Sequence, residues 1–456
     1  MKQSNWPLAL WLIFWLIGCQ RDVPATILPA SPPHVATIIP LPGTQVMTAT
    51  PSDRQFYAPL LSNTQATPIS SVTSATPLIP SVTPAATLIP SVTPAATVIA
   101  TATLTSPLYV GPPLSRSSMG IQIYLHREDV PHLMGQLREL GVGWVKVQVS
   151  WKLYQPAPDQ YSDELFGELD ELVHAAGANN IAVLLSVSKA PEWSRPTTEL
   201  DGPPLDNALF QQFMAKLAQR YEGQVAAYEL WNEPNLQREW NGMPLDAAAL
   251  LTLIQAGAEG ARSADPTALI ISAAPAVTGI NDGLSAIDDR VYFRAMLSGG
   301  LAEIVDGFGV HPYGWANPPE TTVAAPDASI PSHNNHPSFF FRDTLQDYGA
   351  LLNEWHITDK KLWVTEFGWG SFEGLGEPPP PEATFMAYVS EWQQALYTQQ
   401  AFALAHTWPW VGPMMLWNLN FSPWIGPAFS ESGYSLLRPD GSPRPAYFAL
   451  MAIPKD

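Results

Sequence analysis

From residue 119 onward, short runs of apolar and β-branched residues alternate with longer segments whose apolar positions recur at helical spacing. The short runs predict strands at 120–125, 144–149, 181–187, 226–231, 269–274, 304–310, 362–366 and 413–417. The longer segments predict helices at 130–140, 163–176, 207–221, 245–264, 291–297, 340–355 and 383–405, with a short last one at 445–452. Asp129 precedes the first helix, Gly141 follows it and Gly177 follows the second, as start and stop residues should. Strands that are apolar nearly throughout, each followed by a helix, imply a parallel sheet buried on both faces. Eight such repeats suit an α/β fold of the (β/α)8 TIM barrel type. An open doubly wound sheet would usually place a glycine-rich turn after its first strand. Here that strand runs into Tyr124-Leu125-His126-Arg127-Glu128, with no glycine.

The first 107 residues break this pattern. Residues 6–17 are apolar apart from the backbone-breaking Pro7, and the run ends in Leu16-Ile17-Gly18-Cys19. The run is too short to span a bilayer comfortably and suits the core of a signal peptide. Small residues before a cysteine resemble the lipobox of bacterial lipoproteins, which makes Cys19 the expected lipidation site. The other reading is an ordinary secretory signal with an incidental cysteine. Residues 20–107 are rich in Pro, Thr, Ala and Ser, and from Ser71 they carry a ten-residue repeat of the form Ser-Val-Thr-Pro-Ala-Ala-Thr-Leu-Ile-Pro. Regular proline breaks helices and removes ladder donors, so this tract is expected to be a disordered linker. The expected organisation is a signal peptide at 1–19, a linker at 20–107 and a barrel at 108–456. The protein is then exported, at the cell surface or in the periplasm, and touches a membrane only through its N-terminal anchor.

Charge narrows the partners. The chain carries 22 Lys+Arg against 41 Asp+Glu. Residues 108–456 hold 19 of those bases and 39 of those acids, so the acidity belongs to the barrel. Nucleic acid is excluded as a partner, because its recognition needs clustered Lys and Arg. With one cysteine there is no intrachain disulfide and no Cys-rich metal centre. No cofactor and no metal are expected. His333 and His336 lie in a Pro- and Asn-rich loop with no carboxylate at ligand spacing.

In such barrels the chemistry lies at the C-terminal ends of the strands. The fourth strand ends in Tyr228-Glu229-Leu230-Trp231-Asn232-Glu233-Pro234-Asn235, and the seventh in Trp363-Val364-Thr365-Glu366-Phe367-Gly368-Trp369. Each delivers a glutamate to the mouth, and these two strands lie on opposite sides of it. Two facing carboxyl groups are the machinery of glycoside hydrolysis, one donating a proton and the other attacking the anomeric carbon. Their environments should push their pKa values apart. Glu229 sits four residues before Glu233 and is expected to make a structural contact.

Trp231-Asn232-Glu233-Pro234-Asn235 and Thr365-Glu366-Phe367-Gly368 resemble the two signatures of clan A glycoside hydrolases, retaining (β/α)8 enzymes. The context around Asn235-Leu236 and Trp240 is most similar to glycoside hydrolase family 39, with family 5 next. The resemblance implies that Glu233 is the general acid/base and Glu366 the nucleophile. It implies that Asn232 bonds the sugar 2-hydroxyl, that Tyr313 orients the nucleophile while His311 helps hold the site, and that Trp417 floors the sugar subsite. Many clan members carry an arginine on the second strand to steady the nucleophile; the comparable residue here is Lys146, which makes a point-charge contact in place of a planar fork.

Trp151, Trp193, Trp240, Trp315, Trp369, Trp417 and Trp424 all fall in or just after strand C-terminal ends. Aromatic faces stack on the C–H faces of sugar rings, so they suggest a carbohydrate cleft, with Trp151 and Trp369 among the candidate sugar contacts. The expected function is retaining hydrolysis of β-glycosides or polysaccharides. The alternatives are a carbohydrate-binding surface protein without catalysis and a transglycosylase on the same fold. The sugar, exo or endo action and the oligomeric state stay open.

Overall fold

The computed structural model describes residues 109–456. The expected signal peptide, the linker and Cys19 lie outside the described residues. Eight parallel strands close into one barrel in chain order. They are β1 (Met119–Ile123), β2 (Trp144–Ser150), β3 (Ala182–Ser188), β4 (Ala227–Leu230), β5 (Leu269–Ser272), β6 (Gly307–Val310), β7 (Lys361–Phe367) and β8 (Val411–Leu416). Closure comes from β8 pairing back on β1, with Gly120 opposite Met415 and Ile121 opposite Leu416. The outer layer is α1 (Val130–Leu140), α2 (Asp163–Ala178), α3 (Asn207–Arg220), α4 (Ala247–Ala264), α5 (Asp289–Ser298), α6 (Phe341–Glu354), α7 (Glu391–His406) and α8 (Pro445–Ala452).

The expected caps hold at α1. Asp129 accepts from the His132 backbone N–H at 3.1 Å, and Gly141 ends the helix at φ 67°. Gly177 does not end α2; the helix runs to Ala178 and Asn179 caps it through the Ala175 and Ala176 carbonyls. Two other boundaries differ. The sixth strand begins at Gly307, because Leu301–Ile304 forms a helical turn first. The predicted helix at 383–405 is two elements. A 3-10 segment at Pro381–Tyr388 gives way to extended Val389, and Ser390 then starts α7 in a capping box with Gln393. That box satisfies two orphan donors at once, so the chain gains by breaking there.

The inside of the barrel has two tiers. Leu184, Ala227, Ile271, Trp363 and Met415 come from five strands and meet in one buried cluster, with Trp144 against it. Trp144 and Trp363 pack edge to face at 5.1 Å. Gly307 makes room for this plug: a Cβ there would sit 2.6 Å from the Trp363 ring. Lys146, Ser186, Glu229 and Thr365 are buried polar residues further along four of these strands, and Gln122 is buried on β1. The apolar tier closes one end, and the polar tier lies under the catalytic-type residues at the other.

The loops at that end are tied together by Arg444, which is fully buried. Its Nε donates to Glu391 Oε1 at 2.9 Å, Nη1 to the Gly433 carbonyl at 2.8 Å, and Nη2 to the carbonyls of Ser371 at 2.7 Å and Glu373 at 2.9 Å. One side chain thus joins the loops after β7 and β8 to the start of α7.

Candidate active site

Glu233 reaches the mouth through an unusual backbone path. After β4 ends, Trp231 has φ 83° and Glu233 has φ 43°, a region that costs a non-glycine residue of order 1–3 kcal/mol. Neighbouring strands hold the turn in place. The Trp231 N–H donates to the Val187 carbonyl at 2.9 Å and the Glu233 N–H to the Ala274 carbonyl at 3.1 Å. Asn235 then behaves like a short strand: its amide donates to the Ala276 and Ile287 carbonyls and accepts from the Ala276 N–H at 2.7 Å.

Glu366 stands at the end of β7, and both of its oxygens are held. Lys146 Nζ contacts Oε1 at 3.1 Å, and the Tyr313 hydroxyl donates to Oε2 at 3.0 Å. Lys146 also donates to the Thr365 carbonyl at 3.0 Å and pairs with Glu229 Oε2 at 3.1 Å. Burial alone would lower the Lys146 ammonium; the Glu229 and Glu366 carboxylates outweigh it and raise it. Lys146 thus stands between Glu366 and Glu229, and Glu229 is its buried counter-ion. Burial, with Glu366 adding to it, holds the Tyr313 phenol well above its ordinary range, so it is a donor to Glu366.

His311, fully buried after β6, sits between the two glutamates. Its Nδ1 is 3.2 Å from Glu233 Oε1 and 3.9 Å from Glu366 Oε2. Those two distances limit the separation of the two oxygens to about 7 Å. Burial would depress the imidazole, but Glu366 and Glu233 raise it. An ionised carboxylate has no proton to give, so Nδ1–H is the donor in this contact.

The other oxygen of Glu233 accepts from Arg238 Nη2 at 3.0 Å. Burial alone would raise the Glu233 carboxyl; the His311 hydrogen bond and the Arg238 charge outweigh it and hold it below the usual carboxylate value. The sequence argument looks for a raised proton donor here, and in the free protein the direction is the reverse. His311 and Arg238 together are the reason. Its neighbour Glu239 is also buried, and burial pushes that carboxyl up to about 7 against the pull of Lys189 and Arg238. Lys189 and Lys152 both pair with Asp201, at 3.2 Å and 2.5 Å. This cluster was not foreseen; loop charges at irregular spacing carry no periodic signal.

Asn232 is buried beside Glu233, and its Oδ1 has no hydrogen-bond partner among the described residues. Trp417 packs edge to face against Tyr313 at 6.3 Å and lies 5.1 Å from Tyr434. Glu233, Glu366, Asn232, His311, Tyr313, Lys146 and Trp417 are therefore brought to one place. Trp151 and Trp369 are not brought there. Trp151 is fully buried against Phe210 and Phe213, and Trp369 is buried among Phe341, Phe367 and Tyr397. Trp240 and Trp315 are likewise buried, Trp315 stacking on His333 at 4.2 Å. The strand ends put these rings under the loops, where core packing takes them. Trp424 is the open one, 41% exposed, with its indole N–H donating to Glu128 at 2.7 Å. Among the described residues no group of three or more His, Cys, Asp or Glu side chains is placed to hold a metal.

No curated protein matches the sequence. The chain is similar to a family 39 glycoside hydrolase from the gut symbiont Bacteroides cellulosilyticus WH2, with a TM-score of 0.56 and 20% identity over 76% of this chain and 65% of that one. It is also similar to an exo-beta-1,4-mannosidase from Opitutaceae bacterium strain TAV5, at a TM-score of 0.49 and 14% identity over 76% of this chain and 62% of that one. A GH5_18 protein from Streptomyces cattleya in complex with Manβ1-4GlcNAc gives 0.50 and 15%, over 75% and 79%. The chain spans less than two thirds of the first two, and at these identities the likeness concerns the fold. The sequence context favours family 39 before family 5; the family model that matches, over residues 120–410, is that of family 5. That match covers more than half of the chain, which belongs to the family Cellulase (glycosyl hydrolase family 5), in clan A.

Proposed function

We propose that the protein hydrolyses β-glycosidic bonds in glycosides or polysaccharides with retention of configuration, Glu366 acting as nucleophile and Glu233 as acid/base. The observation that carries this is the pair of buried glutamates from β4 and β7 sharing His311 Nδ1. Their oxygens lie within about 7 Å, a limit that admits the spacing of retaining enzymes, about 5–5.5 Å, and leaves out most of the inverting range of about 6.5–9.5 Å.

The steps follow from the contacts. Protonated Glu233 gives its proton to the glycosidic oxygen as that C–O bond breaks, and a Glu366 oxygen bonds to the anomeric carbon. Lys146 and Tyr313 hold the two Glu366 oxygens in place for this attack. Asn232 supplies a buried amide for the 2-hydroxyl. Water then loses a proton to Glu233 and attacks the same carbon, the bond to Glu366 breaks, and Glu233 is protonated again. Cys19 and the linker would tether this activity at the cell surface; they lie outside the described residues.

The test is a pair of variants on aryl β-glycosides. Glu366→Ala abolishes turnover. Glu233→Ala keeps activity on substrates with good leaving groups, and added azide accelerates it and yields a β-glycosyl azide. Unchanged hydrolysis in Glu366→Ala would remove the nucleophile assignment. An inert wild-type chain that still binds glycans would favour a binding protein.

A further inference from the structure

Both oxygens of Glu233 already face a cationic or donor group, and a glycosidic oxygen that takes the Glu233 proton competes with one of them for its place. His311 is the fixed one. It is wholly buried at the end of β6, between two carboxylates. Arg238 is the movable one. Its side chain is 25% exposed, it lies in the loop after β4, and it touches Glu233 through Nη2 alone. It has somewhere to go. Its Nε is buried with no hydrogen-bond partner and points within 3.9 Å of Glu239 Oε1, just beyond bonding distance.

We propose that Arg238 is a two-position switch, seated on Glu233 in the free protein and on Glu239 while Glu233 serves as proton donor. The proposal rests on the acid/base role of Glu233 and adds two positioning residues to it. The three groups exchange one proton without changing their total charge. With Arg238 on Glu233, Glu233 is the carboxylate and Glu239 carries the proton. With Arg238 on Glu239, Glu239 gives up its proton to solvent, Glu233 takes one from solvent, and the guanidinium pairs with the new carboxylate. Burial pushes Glu239 up to about 7 with Arg238 at its present distance, so it holds a proton below neutrality and releases it when the guanidinium closes on it.

The charged and titratable groups around Glu233 fit this account. Arg238 and Glu239 come from its own loop, His311 follows β6, and Glu366 reaches it through His311. Tyr313 and Tyr434 lie within electrostatic reach and stay protonated, both held above their ordinary range chiefly by burial. Lys189, after β3, acts on Glu239 and stabilises its ionised form. Glu233 is thus a carboxylate in the free protein, an acid once the leaving-group oxygen displaces Arg238, and a base again in the glycosyl-enzyme, as the second step needs; the proton it then takes from water returns to solvent when Arg238 reseats.

The test is the pH profile of kcat/KM for the full chain on an aryl β-glycoside that the wild type hydrolyses, each variant normalised to its own maximum. Arg238→Met frees Glu233 of the cation, and the alkaline limb moves to higher pH. Glu239→Gln removes the second seat, Arg238 stays on Glu233, and the limb moves to lower pH. An opposite charge within about 4–6 Å typically moves a carboxyl by 1–3 pH units. Above the wild-type limb, normalised activity therefore rises roughly fivefold or more in Arg238→Met and falls about as much in Glu239→Gln. Arg238→Lys keeps the charge, and its limb returns toward the wild type. Arg238→Gln repeats the measurement where Arg238→Met folds poorly. Limbs that move in the same direction, or do not move, overturn the switch. A second readout needs no turnover: carbon-13 NMR of the Glu233 carboxyl in a Glu366→Gln background, assigned against Glu233→Gln. Its titration midpoint is higher in Arg238→Met and lower in Glu239→Gln. An inactive wild type would thus remove the proposed function while this titration still decides the switch.

Discussion

Replacing Lys146 with methionine removes a cation that faces both Glu229 and Glu366. Each contact is 3.1 Å long. At an effective dielectric of about 20, an attraction over that distance is about 5 kcal/mol. The three charges also lost their hydration on burial, at several kcal/mol apiece, so the gross attraction is not what an experiment reads. Breaking a buried ion pair by deleting one partner typically costs about 3–5 kcal/mol, because the other charge is left in a dry interior. Lys146→Met should therefore be destabilised by about 3–5 kcal/mol at pH 8 in guanidinium unfolding. The deficit should shrink at pH 4, where a proton can take the place of the missing cation. Adding Glu229→Gln to Lys146→Met should restore part of the stability by removing a surplus carboxylate. It should not restore activity, which falls at least about a hundredfold because Glu366 loses its fixed position. A Lys146→Met variant within about 1 kcal/mol of the wild type at pH 8, or one whose deficit is the same at pH 4 and pH 8, would refute the reasoning.

Two further predictions concern the groups behind the site. Burial raises the Glu431 carboxyl from 4.5 to about 7, and one of its oxygens is buried without a partner. A carboxyl raised on folding favours the folded state fully below its unfolded value and loses that contribution as pH climbs through the folded one. Glu431→Gln should gain on the wild type by on the order of 3 kcal/mol between about pH 4.5 and 8; a flat difference across that range contradicts the assignment. Arg444→Met deletes the bonds that join the loops after β7 and β8 to α7, and leaves Glu391 and several carbonyls short of donors. Its cost should be about 3–5 kcal/mol by chemical denaturation, and a cost below about 1 kcal/mol would show that the loops are held by something else.

The barrel was legible because its strands are buried on both faces. A continuous apolar run of four to seven residues followed by an amphipathic segment has one main solution, and all eight strands were found with it. Glu233 and Glu366 were legible for the same reason: each directly follows such a run, so topology alone carries it to the mouth. Lys146 was legible through the resemblance to clan A enzymes, as the residue on the second strand where many members carry an arginine. What sequence could not supply were contacts set by loops. Trp151 and Trp369 follow strands as Trp417 does, yet their rings turn under the loops and pack with phenylalanines from α3, α6 and β7. Arg238 lies five residues after Glu233 in an irregular segment, and only the fold of that loop brings its guanidinium back onto the carboxylate. The break before α7 was readable in principle, from the Ser390 and Gln393 spacing of a capping box.

The central claim is that Glu233 and Glu366 act across a glycosidic bond by double displacement. Proton NMR of an aryl β-glycoside during hydrolysis by the full chain tests it most directly. The account predicts that the β-anomer of the released sugar appears first and the α-anomer only later, by mutarotation. The α-anomer appearing first would contradict it.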